Sequence, residues 1–523
     1  MPVQPKQHFL PHIDEDKVYR IEIEHLKASA ERTSPAHRAV QGTSMKAATA
    51  AGSVPYSTNG WDSVYVIPLP DVNRAIADKK TSPTSWSAEL PASLFSPAIS
   101  GTGTFDTWSM ATGGSGSIIR MHIPFTAQIT SGTNHIAVTG GVAYVEVKLV
   151  YIPQPPNPDG TTPNNLKVRA TGGSPDDPVV TVSSVTYAAP TPADPALDNV
   201  LEQLLAKWFN ANLQKFQQVF ATVNLGVEEA SGDFAWLSPT ETDYAYIDNA
   251  NINHALLGVL CMTEGRSSEQ AIQEISAGAI PEGARASFNL SLERFMSKMA
   301  LPGLPIEFPH AAKGTFVLGN DDTQIAATSS FDLDAVSVAG VNYTPNVTSF
   351  TMTLSGATMQ TYLYIHTPIS PGIDAYCEIT YYNTMALATK ADGSQSLTWV
   401  QSKPTDEKTW YTVASWVTIT EAIADIVLAV IGAVVGGVVT SVERVVARVL
   451  IALLVGGVVS AVAAVLEKVP EWIAGTVPDA IPSINALVDG ATKPTKWADS
   501  TDFKITEVVL NGGLQLGGNP FGS

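Results

Sequence analysis

With 523 residues, of which 45% are hydrophobic and 15% charged, the chain is globular, sparing in surface charge and longer than one core usually holds. Its formal net charge of −19 leaves no basic surface to neutralise phosphates. Nucleic acid is therefore excluded as a partner, and any lipid contact has to be chiefly apolar.

Residues 1–55 read as an N-terminal accessory arm, with a short helix over Lys17–Arg32 and a small-residue linker at Ala47–Ser53. Met1–Ser53 begins polar and has no apolar h-region, so synthesis in the cytoplasm without a signal peptide is expected. Any extracellular protein would then be released by a non-classical route. Residues 56–230 form a first sheet-plus-helix unit. Alternation or β-branched enrichment predicts strands at Ser63–Pro68, Gly103–Trp108, Ser117–Pro124, Gly141–Tyr151 and Val179–Ala188. A helix follows over Asp194–Leu225, with Asp194 as its N-cap and Gly226 as its stop.

Residues 231–310 connect to a second unit, 311–523, that repeats this order. Strands are predicted at Gly314–Val317, Thr323–Val338, Ser349–Leu354, Thr361–His366, Ala375–Tyr382 and Ser396–Gln401. Apolar offsets repeat as well: Tyr65, Ile67, Leu69, Val72 and Ile76 are spaced like Phe288, Leu290, Leu292, Phe295 and Met299. Period two switching to steps of three and four reads as a strand running into a helix, used twice. A Gly-Thr-Phe triplet opens the next strand in each half, at Gly103–Phe105 and Gly314–Phe316.

Residues 417–466 are almost entirely Val, Ala, Leu, Ile and Gly. They predict an apolar helical hairpin with arms Ile426–Val442 and Val449–Leu466 around the polar hinge Glu443–Arg448. Each arm would be roughly 25–27 Å long at ~1.5 Å per residue. That is short for a hydrocarbon core about 30 Å thick, so constitutive spanning is not expected. Burial in a core, contact with a bound apolar ligand and conditional membrane insertion all remain open. The fold class is thus α+β, two units of curved antiparallel sheet wrapped around long helices, with the hairpin near the C-terminus.

The candidate lining of an apolar groove is Leu201, Leu205, Trp208, Phe209, Phe216 and Phe220 on the first helix, with Val427, Val434, Leu450 and Leu454 on the hairpin. Plain core packing competes with that reading, because helical apolar stripes are usually core. No catalytic constellation emerges. Gly113-Gly114-Ser115-Gly116-Ser117 nearly spells a nucleophile elbow, but Ser117 takes the place of a required glycine and a β-turn fits better. No phosphate loop, zinc helix or calcium loop is present, so neither a cofactor nor a metal is expected. Cys261 and Cys377 stand far apart in apolar surroundings and read as buried free thiols.

Several motifs occur in order: Asn59-Gly60-Trp61-Asp62-Ser63-Val64-Tyr65, Asp71–Ile76, Gly113–Gly116, Phe234–Thr240, Leu257–Thr263, Met299–Pro305 and Leu510–Asn519. Through them, most of 59–519 resembles the tubular lipid-binding (TULIP) superfamily and, within it, the P-forty-seven proteins of the clostridial OrfX-type toxin gene clusters. The resemblance implies two sheet-and-helix units, apolar grooves, no catalytic residues and an accessory role beside toxins, with lipid, OrfX-like proteins or a toxin as partners. A purely structural scaffold with side-chain-filled grooves is the competing function, and a conditional membrane-inserting protein the third.

Overall fold

The computed structural model describes residues 18–23, 44–47, 56–92, 97–148, 178–220, 235–237, 239–319, 322–389, 395–455 and 504–519. The chain opens with β1 (Val18–Glu22), β2 (Ser44–Ala47) and β3 (Ser63–Pro68), and β3 runs directly into α1 (Leu69–Lys79). Six strands follow: β4 (Ser85–Leu90), β5 (Ile99–Thr104), β6 (Ser109–Ser115), β7 (Ile118–Ser131), β8 (Asn134–Lys148) and β9 (Val180–Thr186). Then come α2 (Pro195–Ala211), α3 (Leu213–Phe220), β10 (Pro239–Ile247), β11 (Leu256–Thr263) and β12 (Ala286–Ser291). The strand β12 leads into α4 (Leu292–Phe295), a π-turn at Met296–Ala300, and α5 (Leu304–Glu307).

The second half holds β13 (Phe316–Gly319), β14 (Gln324–Ala327), β15 (Phe331–Asp332), β16 (Val336–Val338), β17 (Val341–Tyr343) and β18 (Asn346–Ser355). It continues with β19 (Thr358–Ser370), β20 (Ile373–Thr389), β21 (Gln395–Gln401), β22 (Asp406–Ala414), α6 (Glu421–Val455), β23 (Lys504–Leu510) and β24 (Gly513–Asn519).

Strands β4–β9 form one antiparallel sheet, and α2 packs across it against β9, β4 and β5. On β7, Ile119, Met121, Ile123 and Phe125 turn inward while Ile118, Arg120 and His122 face outward, the period-two pattern of a half-covered sheet. A larger sheet built mainly from β13–β15 and β18–β22 carries α6 in the second half, where the helix rests on β20, β21 and β16.

A third sheet, ordered β10-β11-β3-β12-β24-β23, joins the two units. Its central pair is antiparallel with Tyr65 opposite Phe288 and Val64 opposite Asn289. Tyr65 and Phe288 are the first positions of the two repeated offset series, so the strand-into-helix unit is used twice about an approximate two-fold axis. Each copy gains one flanking hairpin, β10–β11 beside β3 and β23–β24 beside β12. This sheet is buried on both faces. Tyr65, Ile67, Leu257 and Phe288 enter the main core, whereas Val64, Val66, Leu260 and Met262 pack with Trp61 under the 264–285 loop.

Five expectations are corrected. Gly103–Trp108 is not one strand: β5 ends at Thr104 and the next strand starts at Ser109, so the Gly-Thr-Phe triplet closes a strand in the first half. Lys17–Arg32 is not a helix where it is described: Val18–Glu22 is a strand whose Ile21 pairs with Tyr411 on β22. With β2 on β20, the described parts of the 1–55 arm are stitched into the second unit's sheet. The helix expected over 194–225 breaks at Asn212, where the side-chain amide donates to Trp208 O at 2.8 Å and the backbone N–H to Phe209 O at 3.0 Å. The Thr323–Val338 stretch is three short strands rather than one.

Finally, Glu421–Val455 is one uninterrupted 35-residue helix, about 52 Å long, that passes through the expected hinge. Glu, Arg, Val and Ala at 443–448 include no glycine or proline, and a charge cluster alone does not end a helix. Residues 456–466 of the expected second arm lie outside the described residues, as do 221–225 of the first helix.

Candidate apolar surfaces of the two long helices

The first helix begins where its sequence sets it. Asp194 Oδ1 accepts from Ala196 N at 2.9 Å, with Pro195 in the first turn. The resulting stripe places Leu201, Leu205, Trp208 and Phe209 in the core, and Phe216 joins them from α3. Phe220 ends α3, and its side chain lies outside what is described.

Opposite this stripe the sheet supplies Trp86, Phe105 and Trp108. Phe105 lies 5.0 Å from Trp208, 5.4 Å from Trp108 and 5.8 Å from Phe209, ring centre to ring centre. A Cβ at Gly101 would stand 2.8 Å from Leu204, so strand and helix are in direct contact there. The five described lining candidates therefore meet one another and a ring cluster that fills the space between helix and sheet. Phe105 was legible only as the third residue of the Gly-Thr-Phe triplet. Its counterpart Phe316 sits in a matching cluster with Phe308, Phe331 and Phe350 at 5.3–5.8 Å.

The second helix is arranged differently. Thr420 accepts at its start, from Ile423 N at 3.3 Å. Within Glu421–Val438, an 18-residue window apolar enough to cross a membrane, one third of the residues are buried. They are Val427, Val430, Ile431, Val434, Val435 and Val438, a single stripe at steps of three and four. Ala422, Ala429, Gly432 and Gly437 face outward, and a Cβ at Gly432 or Gly437 would touch nothing within 4 Å. Val427 and Val434 are thus buried against the protein, with an exposed small-residue face behind them. Leu450 and Leu454 lie on the helix, but their side chains are outside what is described. Glu421 and Asp425 are exposed in its first turns, where carboxylates suit the positive end of the helix dipole.

A buried ion cluster fixes the joint between the units. Asp62, from the Asn59–Tyr65 motif, accepts from Thr263 N at 2.8 Å, Thr263 Oγ1 at 2.9 Å and Arg294 Nη2 at 3.1 Å. Arg266 approaches the other oxygen at 3.0 Å. Arg294 also reaches Glu264 at 2.7 Å, as does Lys298. Burial works against the charge on Glu264, but Lys298 and Arg294 outweigh it and hold its carboxyl below the usual range. The cluster ties β3, the end of β11 and α4 together, and nothing in the sequence alone links those three segments.

Burial pushes the thiols of Cys261 and Cys377 up to about 12, and both are free. Among the described residues no group of three or more His, Cys, Asp or Glu is placed to hold a metal ion. Ser117 falls in the turn between β6 and β7.

In overall shape the molecule matches the structure of P47 from Clostridium botulinum A2 with a TM-score of 0.58, covering 89% of this chain and 98% of that one at 17% identity. That likeness bears on fold alone. In sequence, the chain is 28% identical over 503 residues to Protein OrfX3 of Paraclostridium bifermentans, covering 88% of this chain and 98% of that protein. Protein OrfX3 of Clostridium botulinum (strain Kyoto / Type A2) is 27% identical, with the same coverage. The family model described as OrfX-like, Protein OrfX2/OrfX3/P47, matches residues 58–518, from the Asp62 motif to the last strand, and the chain belongs to that family.

Proposed function

We propose that the protein is a non-enzymatic accessory component of a toxin gene cluster whose long helix α6 holds an apolar ligand on its outer face. The observation that carries this reading is the one-sided burial of α6. Beyond the exposed Glu421 and Asp425 of its first turns, this very apolar helix leaves Ala422, Ala429, Gly432 and Gly437 exposed, and a helix of that composition is normally covered all round. The small side chains give an acyl chain close access to the backbone. Family membership supports the accessory role, and the two sheet-and-helix units support the tubular lipid-binding resemblance. The ring cluster on Phe105 favours a ligand on the second unit rather than in the first.

Native mass spectrometry and organic extraction of the purified chain test for a carried ligand, and uptake of a fluorescent fatty acid tests for an open site. Uptake should depend little on salt, because the headgroup meets no basic surface. Gly432→Arg fits the open space at that position and should abolish uptake without changing the melting temperature. Protein that is free of ligand and takes up no label would overturn this reading and assign the exposed face to a protein partner.

A second reading, conditional membrane insertion, rests on the length and hydropathy of Glu421–Val438. Protonating Glu421 and Asp425 lowers the cost of moving the segment into hydrocarbon. Leakage of anionic liposomes below about pH 5, absent at neutral pH, is its expected signature. No leakage at any pH would remove it.

A further inference from the structure

The Gly113–Gly116 motif has no part in the apolar reading, yet it shapes a polar cleft on the opposite side of the first sheet. The β6–β7 pairing slips between Ala111 and Ser115, so the strand bulges through Thr112, Gly113 and Gly114. Gly113 adopts φ +104°, and a Cβ there would stand 2.9 Å from Arg120 Nη1. Its N–H donates to Asp248 Oδ1 at 2.7 Å, and the same oxygen accepts from Tyr246 Oη at 2.8 Å. At the other end Asn73 clamps Met110, accepting from its N–H at 2.7 Å and donating to its carbonyl at 3.0 Å. The result is an open cleft of about 710 Å³ between α1, β6–β8 and the Ala250–Ile252 loop.

Arg120 is the charged group in it. Its guanidinium lies over the Tyr144 ring at 4.7 Å, and His122 meets the same ring edge-on at 5.6 Å. Arg120 Nε is buried with no hydrogen-bond partner. Glu146 is directly opposite Arg120 in the β7–β8 register but forms no ion pair with it, and Asp248 is engaged by Gly113 and Tyr246. In a chain of net charge −19, an oriented arginine that forms no ion pair among the described residues can receive an external anion.

We propose that this cleft binds a small hydroxylated carboxylate, by class a sugar acid, with Arg120 holding the carboxylate. Among the described lining residues one arginine and no lysine supply a single fixed positive charge, which matches a monoanion better than a phosphate dianion. Ser109, Thr112 and Asn251 supply hydroxyl and amide groups for the ligand's hydroxyls, and Tyr144 and the half-buried Ile252 offer apolar surface for its ring. The site is separate from α6 and stands or falls independently of the apolar-ligand reading.

The test is calorimetric or ligand-observed NMR titration of the full chain with D-glucuronate, its neutral counterpart D-glucose, and inorganic phosphate. Glucuronate should bind saturably, with glucose and phosphate each at least about tenfold weaker. Arg120→Gln should lose at least about tenfold in glucuronate affinity. Arg120→Lys, which keeps the charge and so guards against misfolding, should fall between the two. Undetectable glucuronate binding, equal binding of glucose, or binding unchanged in Arg120→Gln would overturn the site. Phosphate binding as tightly as glucuronate would overturn the assignment to a monoanionic ligand.

Discussion

Replacing Phe105 with alanine tests whether the first unit's interior is filled by side chains or kept for a ligand. The ring is 7% exposed and meets Trp208, Trp108, Phe209 and Trp86 at 5.0, 5.4, 5.8 and 6.3 Å. Phe→Ala in a packed core costs about 3–5 kcal/mol, and aromatic pairs are worth about 0.5–1.5 kcal/mol each beyond their buried area. Four ring neighbours put this site at the upper end, about 4–5 kcal/mol, a large share of a net stability of about 5–15 kcal/mol. Urea unfolding followed by tryptophan emission is the assay, since Trp86, Trp108 and Trp208 report on the cluster itself. With a slope near 3 kcal/mol per molar, the midpoint should fall by roughly 1.5 M. Phe316→Ala, with three ring neighbours in the second cluster, should lose somewhat less. A midpoint shift below about 0.5 M with unchanged emission would show that Phe105 borders open space, and the packing argument for this unit would be wrong.

Val434→Asp buries an unpaired carboxylate in the α6 stripe at a cost of several kcal/mol, so soluble expression should be lost, whereas Ala429→Asp on the exposed face should express normally. Soluble, normally melting Val434→Asp would show that the stripe faces water. With both thiols raised to about 12 by burial, iodoacetamide at pH 8 should label neither Cys261 nor Cys377 until the chain is unfolded. Mass spectrometry reads this directly, and labelling of either in native protein contradicts its burial. The lowered carboxyl of Glu264 contributes stability that is complete above its unfolded value of about 4.3 and is lost as pH falls through the folded value. The melting temperature of Glu264→Gln should accordingly fall less than that of the wild type on acidification below about pH 4.3. Parallel curves would mean that Lys298 and Arg294 do not stabilise this carboxylate in solution.

Local pattern carried much of the fold. Ser63–Pro68 was bounded correctly because β-branched Val64, Val66 and Ile67 and the closing Pro68 mark it, and the matching offsets at Tyr65 and Phe288 revealed a repeated unit before its two copies could be seen to pair. What remained hidden depended on distant partners. Asp62 was visible in a motif, but its role needs Thr263 and Arg294, about 200 positions away. Arg120 gave no signal, since its cleft is assembled from five separated segments. The charges at Glu443–Arg448 were read as a hinge although nothing there breaks a helix. Of the ten lining candidates, seven are buried core residues, and beyond Glu421 and Asp425 the described exposed face of α6 consists of alanines and glycines that composition alone would assign to packing.

The joining sheet also constrains how the protein is made. Its strand β3 pairs with β11 and β12, roughly 190 and 220 residues later, and β12 in turn pairs with β24 at Gly513–Asn519. Until those last strands emerge from the ribosome, β12 keeps one open edge in a sheet whose both faces are apolar. Long-range pairing of this kind is slow to form and exposed to aggregation while it waits. The first sheet and α2 can assemble early during synthesis, but the joint between the halves closes only after translation has passed residue 519. Production yield should therefore respond to chaperone capacity and growth temperature more strongly than the stability of the finished fold would suggest.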